Sequence, residues 1–105
     1  MTIKTEKYEK AAARLAKLPR AERFEELLDF PVQHTFKVIG RKGTFYQEVS
    51  RALARLSFED VTFVERPSKT GRFISLTFQL TVDSGAHLDE IYRVLQSIPG
   101  LAYLL

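Results

Sequence analysis

The sequence contains no cysteine and no tryptophan, and only one of its 105 residues is methionine. Without cysteine, the chain can form no disulfide bond, no thiol nucleophile and no cysteine-based zinc or iron–sulfur site. Its apolar runs are far shorter than the ~20 residues that cross a bilayer, and the first residues lack the hydrophobic stretch of a signal peptide. We therefore expect a soluble cytoplasmic protein that does not bind membranes.

A strong excess of charge of one sign is also absent. Sixteen Lys and Arg residues stand against thirteen Asp and Glu residues, which gives a formal net charge of +3. This balance favours anionic partners slightly, but it is well short of the basic composition of nucleic-acid-binding domains. The length corresponds to one domain, which can bury roughly two-thirds of its unfolded surface.

The sequence has no recognisable catalytic or metal-binding constellation. His34 and His87 are far apart, and neither belongs to a group of residues with metal-ligand spacing. No serine is placed with a base and an orienting acid in a known order. We expect no catalytic residue, no metal site and no cofactor, and therefore a protein that is not an enzyme.

The clearest pattern that is present runs from Arg72 to Val82, where apolar and polar residues alternate. One side carries Ile74, Leu76, Phe78, Leu80 and Val82, and the other carries Phe73, Ser75, Thr77, Gln79 and Thr81. A period of two with many β-branched and aromatic residues predicts a strand that has one face on the core. The strand is expected to be central in its sheet.

Three further strands follow from similar patterns. Gln33–Ile39 and Phe58–Arg66 alternate and predict the first and second strands. Pro67–Gly71 predicts a turn that joins the second strand to the strand beginning at Arg72. Leu101–Leu105 is apolar throughout, and we expect it to form a last strand covered on both sides.

Two helices are predicted between these strands. Thr44 and Gln47 have the spacing of a capping box, and a buried stripe follows them: Phe45, Val49, Ala52, Leu53 and Leu56. The second helix is capped by Asp83 or Ser84, and Pro99 and Gly100 end its pattern. Its buried stripe is Leu88, Ile91, Leu95 and Ile98.

The order from Gln33 onward is β-α-β-β-α-β. The economical fold for this order is the α+β, ferredoxin-like sandwich, in which two helices cover one face of a four-stranded antiparallel sheet. Right-handed crossovers give the strand order 4-1-3-2. Strand parity and helix spacing together predict a shared core of Phe36, Val38, Leu53, Phe63, Leu76, Phe78, Leu88, Ile91 and Leu95.

The N-terminal part is predicted to be helical. Residues 1–18 carry a thin, mostly alanine stripe, and Arg20–Leu28 forms a short second helix with Phe24, Leu27 and Leu28 on one side. We divide the chain into a helical extension, residues 1–23, and a domain, residues 24–105. The extension could lie solvated against the domain, bind a partner, or cover the open face of the sheet.

Four short motifs stand out together: Leu27-Leu28-Asp29-Phe30-Pro31, Phe36-Lys37-Val38-Ile39-Gly40, Ser68-Lys69-Thr70-Gly71-Arg72-Phe73 with Ser75, and Ile91-Tyr92. In these motifs the chain resembles the YbeD-like family of small bacterial proteins. The resemblance covers residues 24–105. It implies a ferredoxin-like fold close to the ACT regulatory domains, no established activity, and a suggested regulatory role, linked in some bacteria to lipoate metabolism. Val32 stands where many members have cysteine, which argues against a thiol-based role.

Two basic loops are candidate binding sites. The first is Gly40, Arg41, Lys42, Gly43 and Thr44, where two cations precede the free N–H groups of a helix start, so that a small anion could bind. In ACT domains, effectors often bind around this loop where two copies meet, and the resemblance therefore allows a homodimer. The alternative is a solvated, glycine-rich connection, and the spacing of a Walker motif is missing.

The second candidate is the turn Ser68, Lys69, Thr70, Gly71 and Arg72, which could contact an anion or a protein partner. The alternative is that these residues only form the turn, because glycine and hydroxyl residues are common in hairpin turns without any binding role.

The open face of the sheet raises nucleic-acid binding as an alternative function. RNA-recognition motifs share this topology and stack bases on aromatic residues of the first and third strands. In this sequence only Phe73 is expected to be placed for stacking, and the match to the RNP1 pattern is poor. We therefore expect a regulatory or interaction domain that binds a protein partner or a small anion, with nucleic acid unlikely.

Overall fold

The computed structural model describes residues 10–105. Residues 10–16 are helical, and the rest of the predicted helix over residues 1–18 lies mostly outside the described residues. The chain then forms α1 (Arg20–Leu27), β1 (Val32–Arg41), α2 (Phe45–Arg55), β2 (Val64–Pro67), β3 (Phe73–Val82), α3 (Gly85–Gln96) and β4 (Leu101–Leu104). The predicted βαββαβ order is confirmed.

The four strands form one antiparallel sheet in the order β2-β3-β1-β4. This is the predicted order 4-1-3-2 read from the other edge. β1 and β3 are the central pair and are matched along their whole length, with Phe36 opposite Phe78 and Arg41 opposite Phe73. The fold is the ferredoxin-like sandwich.

The core lies between one face of the sheet and the helices α2 and α3. Of the nine predicted core residues, eight are buried and Phe63 is partly buried against them. Phe36 and Phe78 stack with ring centroids 5.6 Å apart at the centre of this layer. The parity assigned to both long strands is therefore correct.

The second strand is shorter than predicted, because Phe58 to Phe63 are not part of it. α2 ends with two backbone bonds, Ser57 N–H to Ala54 O at 2.9 Å and Phe58 N–H to Leu53 O at 2.9 Å. This is the pattern of a Schellman ending, and it requires the left-handed φ of 67° found at Ser57. Asp60 has a φ of 56°, so a second residue interrupts the extended backbone before β2 begins at Val64.

The last strand is not covered on both sides as predicted. Among residues 10–105, β4 is an edge strand that pairs with β1 alone, and Tyr103 lies opposite Ile39. Tyr103 is therefore on the face of the sheet away from the helices, and 67% of its surface is exposed. Leu105 continues the pairing through two backbone bonds with Lys37 and is 65% exposed.

The ends of the helices differ in part from the prediction. Gly40 and Arg41 belong to β1 and not to a loop, and the ring of Phe45 packs directly against the Cα of Gly40. Thr44 precedes α2, but its side chain makes no capping hydrogen bond, so the predicted capping box is wrong. At α3 the cap is Ser84, whose hydroxyl accepts the His87 N–H at 3.1 Å.

Helix α1 packs on α3. Gly85 permits this contact, since a Cβ there would overlap the carbonyl oxygen of Ala21, and the Gly85 N–H donates to Glu25 at 2.7 Å. Phe24 packs near Tyr92, with ring centroids 5.9 Å apart. Leu27, however, is 63% exposed and does not share the buried side as predicted. The boundary that we placed after residue 23 lies within this helix.

Candidate functional site

The two basic loops meet at one end of the central strand pair. The Lys42 N–H donates to the carbonyl oxygen of Arg72 at 2.9 Å, which joins the β1–α2 loop to the β2–β3 hairpin. An open cavity of about 610 Å³ lies between them. It is lined by Arg41, Lys42, Gly43, Gly71, Arg72 and Phe73, and we call it the basic cleft.

The register of the sheet explains why these residues are together. Arg41 is the last residue of β1 and lies directly opposite Phe73, the first residue of β3. The loop after β1 and the loop before β3 therefore lie at the same end of the sheet. The hairpin turns through Gly71, whose N–H donates to the Ser68 carbonyl at 3.0 Å and whose φ is 72°. The side chain of Ser68 accepts the Phe73 N–H at 3.1 Å and fixes the start of β3.

The cleft presents cations that are available to a ligand. Arg41, Lys42 and Arg72 are exposed, and none of the ion pairs within residues 10–105 involves them. Two guanidinium groups can bind a carboxylate or a phosphate in bidentate fashion, and an ammonium group adds a point charge. Because all three side chains are hydrated, each single contact contributes only about 1 kcal/mol or less, and binding needs several of them together.

The remaining predicted site residues have other places. Gly40 is buried within β1, and Thr44 is exposed but does not line the cleft. Lys69 and Thr70 are exposed in the hairpin turn, where the Thr70 hydroxyl lies 3.4 Å from that of Ser68. The two loops are therefore not separate sites as predicted, because parts of both form one cleft.

The open face of the sheet continues from the cleft. Phe73 also lines a second shallow pocket with Lys37, Ile39, Arg66, Pro67, Ser68, Ile74 and Ser75. Tyr103 lies on the same face, so the prediction that Phe73 alone is placed for stacking is wrong. Tyr103 could not be identified from the sequence, because the all-apolar pattern of β4 predicts burial on both sides.

A third charged group, around Asp89, has a structural role. Asp89 accepts a hydrogen bond from Arg20 of α1 and pairs with Arg93 of α3 at 2.9 Å. The hydrogen bond from Arg20 lowers the pKa of Asp89 below its usual value, and partial burial opposes this shift. The i,i+4 spacing of Asp89 and Arg93 was a visible signal for one ion pair, but nothing in the sequence indicated Arg20.

Both histidines serve the packing of the domain. His34 lies 3.3 Å from the hydroxyl of Tyr92, and burial raises the pKa of that tyrosine. His87 accepts the Asp83 N–H through Nδ1 at 3.0 Å, and its ring stacks on Phe58. Within residues 10–105, no three acidic or histidine side chains form a group that could hold a metal ion. Over the same residues, no helix has the length and hydropathy needed to cross a bilayer.

Comparison with known proteins identifies the family. A family model described as "Protein of unknown function (DUF493)" matches residues 25–105. The chain belongs to the DUF493 family. A UPF0250 protein of Idiomarina loihiensis is 33% identical over 84 residues, which cover 79% of this chain and 96% of the relative. The resemblance to the YbeD-like family is thereby confirmed.

Solved structures agree with the fold of this DUF493 protein. Protein HP0495 of Helicobacter pylori superposes with a TM-score of 0.55 at 15% identity, covering 74% of this chain and 85% of the other. The ACT domain from the GTP pyrophosphokinase of Chlorobium tepidum gives a TM-score of 0.51 at 12% identity, covering 70% and 94%. At these identities the comparisons establish an ACT-like, ferredoxin-like fold and nothing about ligands.

Proposed function

We propose that this DUF493 protein is a cytoplasmic, non-enzymatic regulatory domain that binds a small carboxylate or phosphate in the basic cleft. The observation that carries the proposal is the Lys42–Arg72 backbone bond, because it holds two cationic loops side by side around an open cavity. The exposed cations are not neutralised by carboxylates of residues 10–105. The ACT-like fold supports a regulatory role by analogy alone.

The backbone of the cleft also suits a small anion. Gly43 has a φ of 132° and Gly71 a φ of 72°, and the space where a Cβ would stand is open at both. A ligand can therefore approach the main chain closely between the two loops. Phe73 at the floor of the cleft provides an apolar surface, which favours an organic anion over an inorganic one.

The test is calorimetry on the protein with a panel of amino acids, dicarboxylates and phosphorylated metabolites. Replacing Arg41, Lys42 and Arg72 together by alanine should weaken the binding of the tightest compound in this panel by more than about tenfold, or ~1.4 kcal/mol. The control removes three exposed cations elsewhere, at Lys10, Lys17 and Arg55, and should bind normally. If no compound binds, or if both variants lose binding equally, the cleft is not a specific anion site.

Single-stranded nucleic acid is the second candidate, and a specific observation favours it. Phe73 and Tyr103 are on one face of the sheet, and Lys37 and Arg66 lie on the same face. Bases stack on exposed aromatic rings while cations follow the backbone. Salt-dependent retention on single-stranded RNA or DNA, lost in Phe73→Ala and Tyr103→Ala, would support this function over the first.

A further inference from the structure

The edge of β3 is only partly covered by β2. β2 pairs Val64–Pro67 with residues 74–77 of β3, but β3 continues to Val82. On its other side β3 is paired with β1 from end to end. Residues 78–82 therefore have a strand neighbour on one side alone among residues 10–105.

The direction of the backbone groups along this edge follows from the hydrogen bonds. Ser68 N–H donates to the carbonyl of Phe73 at 2.9 Å, so the polar groups of Phe73 point toward β2. Alternate residues of a strand point the same way, which places the N–H and C=O of Gln79 and Thr81 on the β2 side. Beyond the strand ladders, these groups have no backbone partner within residues 10–105.

A groove follows this open edge. It has a volume of about 620 Å³, and it lies between β3 at residues 77–81 and the irregular segment at residues 58–62. Thr35 and Gln33 of β1 extend its polar floor, and Glu59 and Asp60 give its outer wall two negative charges. The wall is exposed at both acidic residues.

The irregular segment has a defined path beside β3, fixed by aromatic contacts at both of its ends. Phe58 stacks on His87, with ring centroids 5.7 Å apart, and Phe63 packs between Tyr46 at 5.2 Å and Phe78 at 5.4 Å. The left-handed Asp60 bends the chain between these two anchors. With this backbone path, residues 58–62 do not continue the pairing of β2, and the N–H and C=O groups of Gln79 and Thr81 stay open.

We propose that this groove binds an extended peptide segment of a partner protein, which adds a short strand beside Gln79–Thr81. Unpaired backbone donors and acceptors at a strand edge favour an extended chain, because such a chain supplies complementary backbone groups at the same spacing. The acidic wall selects a segment with Lys or Arg next to its β-branched residues. A second copy of this chain fits poorly, since a symmetric pairing would bring both sets of Glu59 and Asp60 together.

The groove is independent of the basic cleft. Phe73 lines the cleft at the first residue of β3, whereas Gln79 and Thr81 lie near its last residue, roughly 20 to 27 Å away along the strand. Loss of anion binding would leave this proposal intact, and loss of peptide binding would leave the cleft intact.

Amide hydrogen exchange on the full chain tests the open edge directly. The N–H groups of Phe78 and Leu80 bond to β1 and should exchange slowly, whereas those of Gln79 and Thr81 should exchange at least about tenfold faster. Equal protection of all four would show that the edge is closed and would overturn the proposal.

Peptide selection tests the occupant. A phage-displayed library of random peptides, selected on the full chain, should yield alternating β-branched sequences with a Lys or Arg. Each selected peptide should shift the amide signals of residues 58–62 and 79–81. Only every second residue of an added strand directs its N–H toward β3. N-methylation of those residues in the peptide should abolish binding, whereas N-methylation of the residues between them should not.

Matched variants test the acidic wall. The double variant Glu59→Gln with Asp60→Asn should weaken the binding of a selected peptide by about tenfold. Asparagine is chosen at residue 60 because it tolerates the left-handed backbone there. Glu65→Gln with Glu90→Gln removes the same charge at exposed positions outside the groove and should bind as the wild type. The proposal is overturned by a selection that yields no peptide, by shifts that map elsewhere, or by a concentration-dependent dimer that shifts the same residues.

Discussion

Single residues decide how the elements of this protein are joined. Asp89 is 9% exposed and connects two helices, because Arg20 of α1 and Arg93 of its own helix both reach it. Ser57 is held in a left-handed conformation that glycine adopts at less cost. Neither residue belongs to an apolar periodicity, and so neither role could be predicted from the pattern of the sequence.

The charge on Asp89 predicts a pH dependence of stability. Its pKa is lowered in the folded state, so its contribution is fully present above the pKa of the unfolded chain, about 4, and is lost as the pH falls through the lower folded value. Melting temperatures measured between pH 7 and pH 2.5 should therefore fall more steeply for the wild type than for Asp89→Asn. Two curves with a constant separation would show that Asp89 carries no such linkage.

The left-handed backbone at Ser57 predicts a stabilising substitution. Ser57→Gly should raise the free energy of unfolding by about 0.5 to 1 kcal/mol, since glycine is the usual residue at this position of a Schellman ending. Ser50→Gly in the interior of α2 provides the opposite control and should lower it by a similar amount. Urea denaturation measures both changes. A loss of stability in Ser57→Gly would contradict this account of the helix end.

At the scale of elements, alternation predicted the register of the sheet correctly where the strands are regular. The period of two placed Phe36 and Phe78 inward and Thr77 outward, as observed. The same pattern failed for residues 58–63, because the left-handed turn at Ser57 and the bend at Asp60 depend on backbone geometry that side-chain hydropathy does not encode. Val61 and Phe63 still pack against the core from an irregular chain, which is why their spacing looked like a strand.

Two neighbouring residues of β3 test the register. Phe78→Ala should cost about 3 to 5 kcal/mol, since its ring is 2% exposed and contacts both Phe36 and Phe63. Thr77→Ala on the open face should cost under about 1 kcal/mol. Chemical denaturation gives both values. Comparable losses would mean that the two faces of β3 are assigned incorrectly.

At the scale of the molecule, the fold was predictable and the sites were only partly so. The strand order puts the end of β1 beside the start of β3, so a meeting of the two basic loops could have been inferred from topology. The Lys42–Arg72 bond and the exposure of Tyr103 depend on three-dimensional detail. The docking of α1 was not predictable either, because it relies on the absence of a side chain at Gly85.

The packing of α1 predicts where the chain can be shortened. Removal of residues 1–18 keeps Arg20, Phe24 and Glu25, so the melting temperature should stay within a few degrees of the full chain, given that ~1 kcal/mol shifts it by about 4 to 8 °C. Removal of residues 1–28 also uncovers Tyr92 and leaves Asp89 without Arg20, and the transition should become broad or the protein insoluble. Scanning calorimetry distinguishes the two cases. If the longer deletion melts normally, α1 is not part of the folding unit.

The central position of β1 has a consequence for synthesis on the ribosome. β1 is made early, but its first partner, β3, follows only after α2 and β2, and its second partner, β4, comes with the last residues of the sequence. Such pairings between distant segments form slowly, because the entropy cost of closing a long loop comes before the favourable strand contacts are made. Until β3 emerges, the nascent chain therefore carries β1 without either neighbour, and the other edge of β1 stays open until β4 follows.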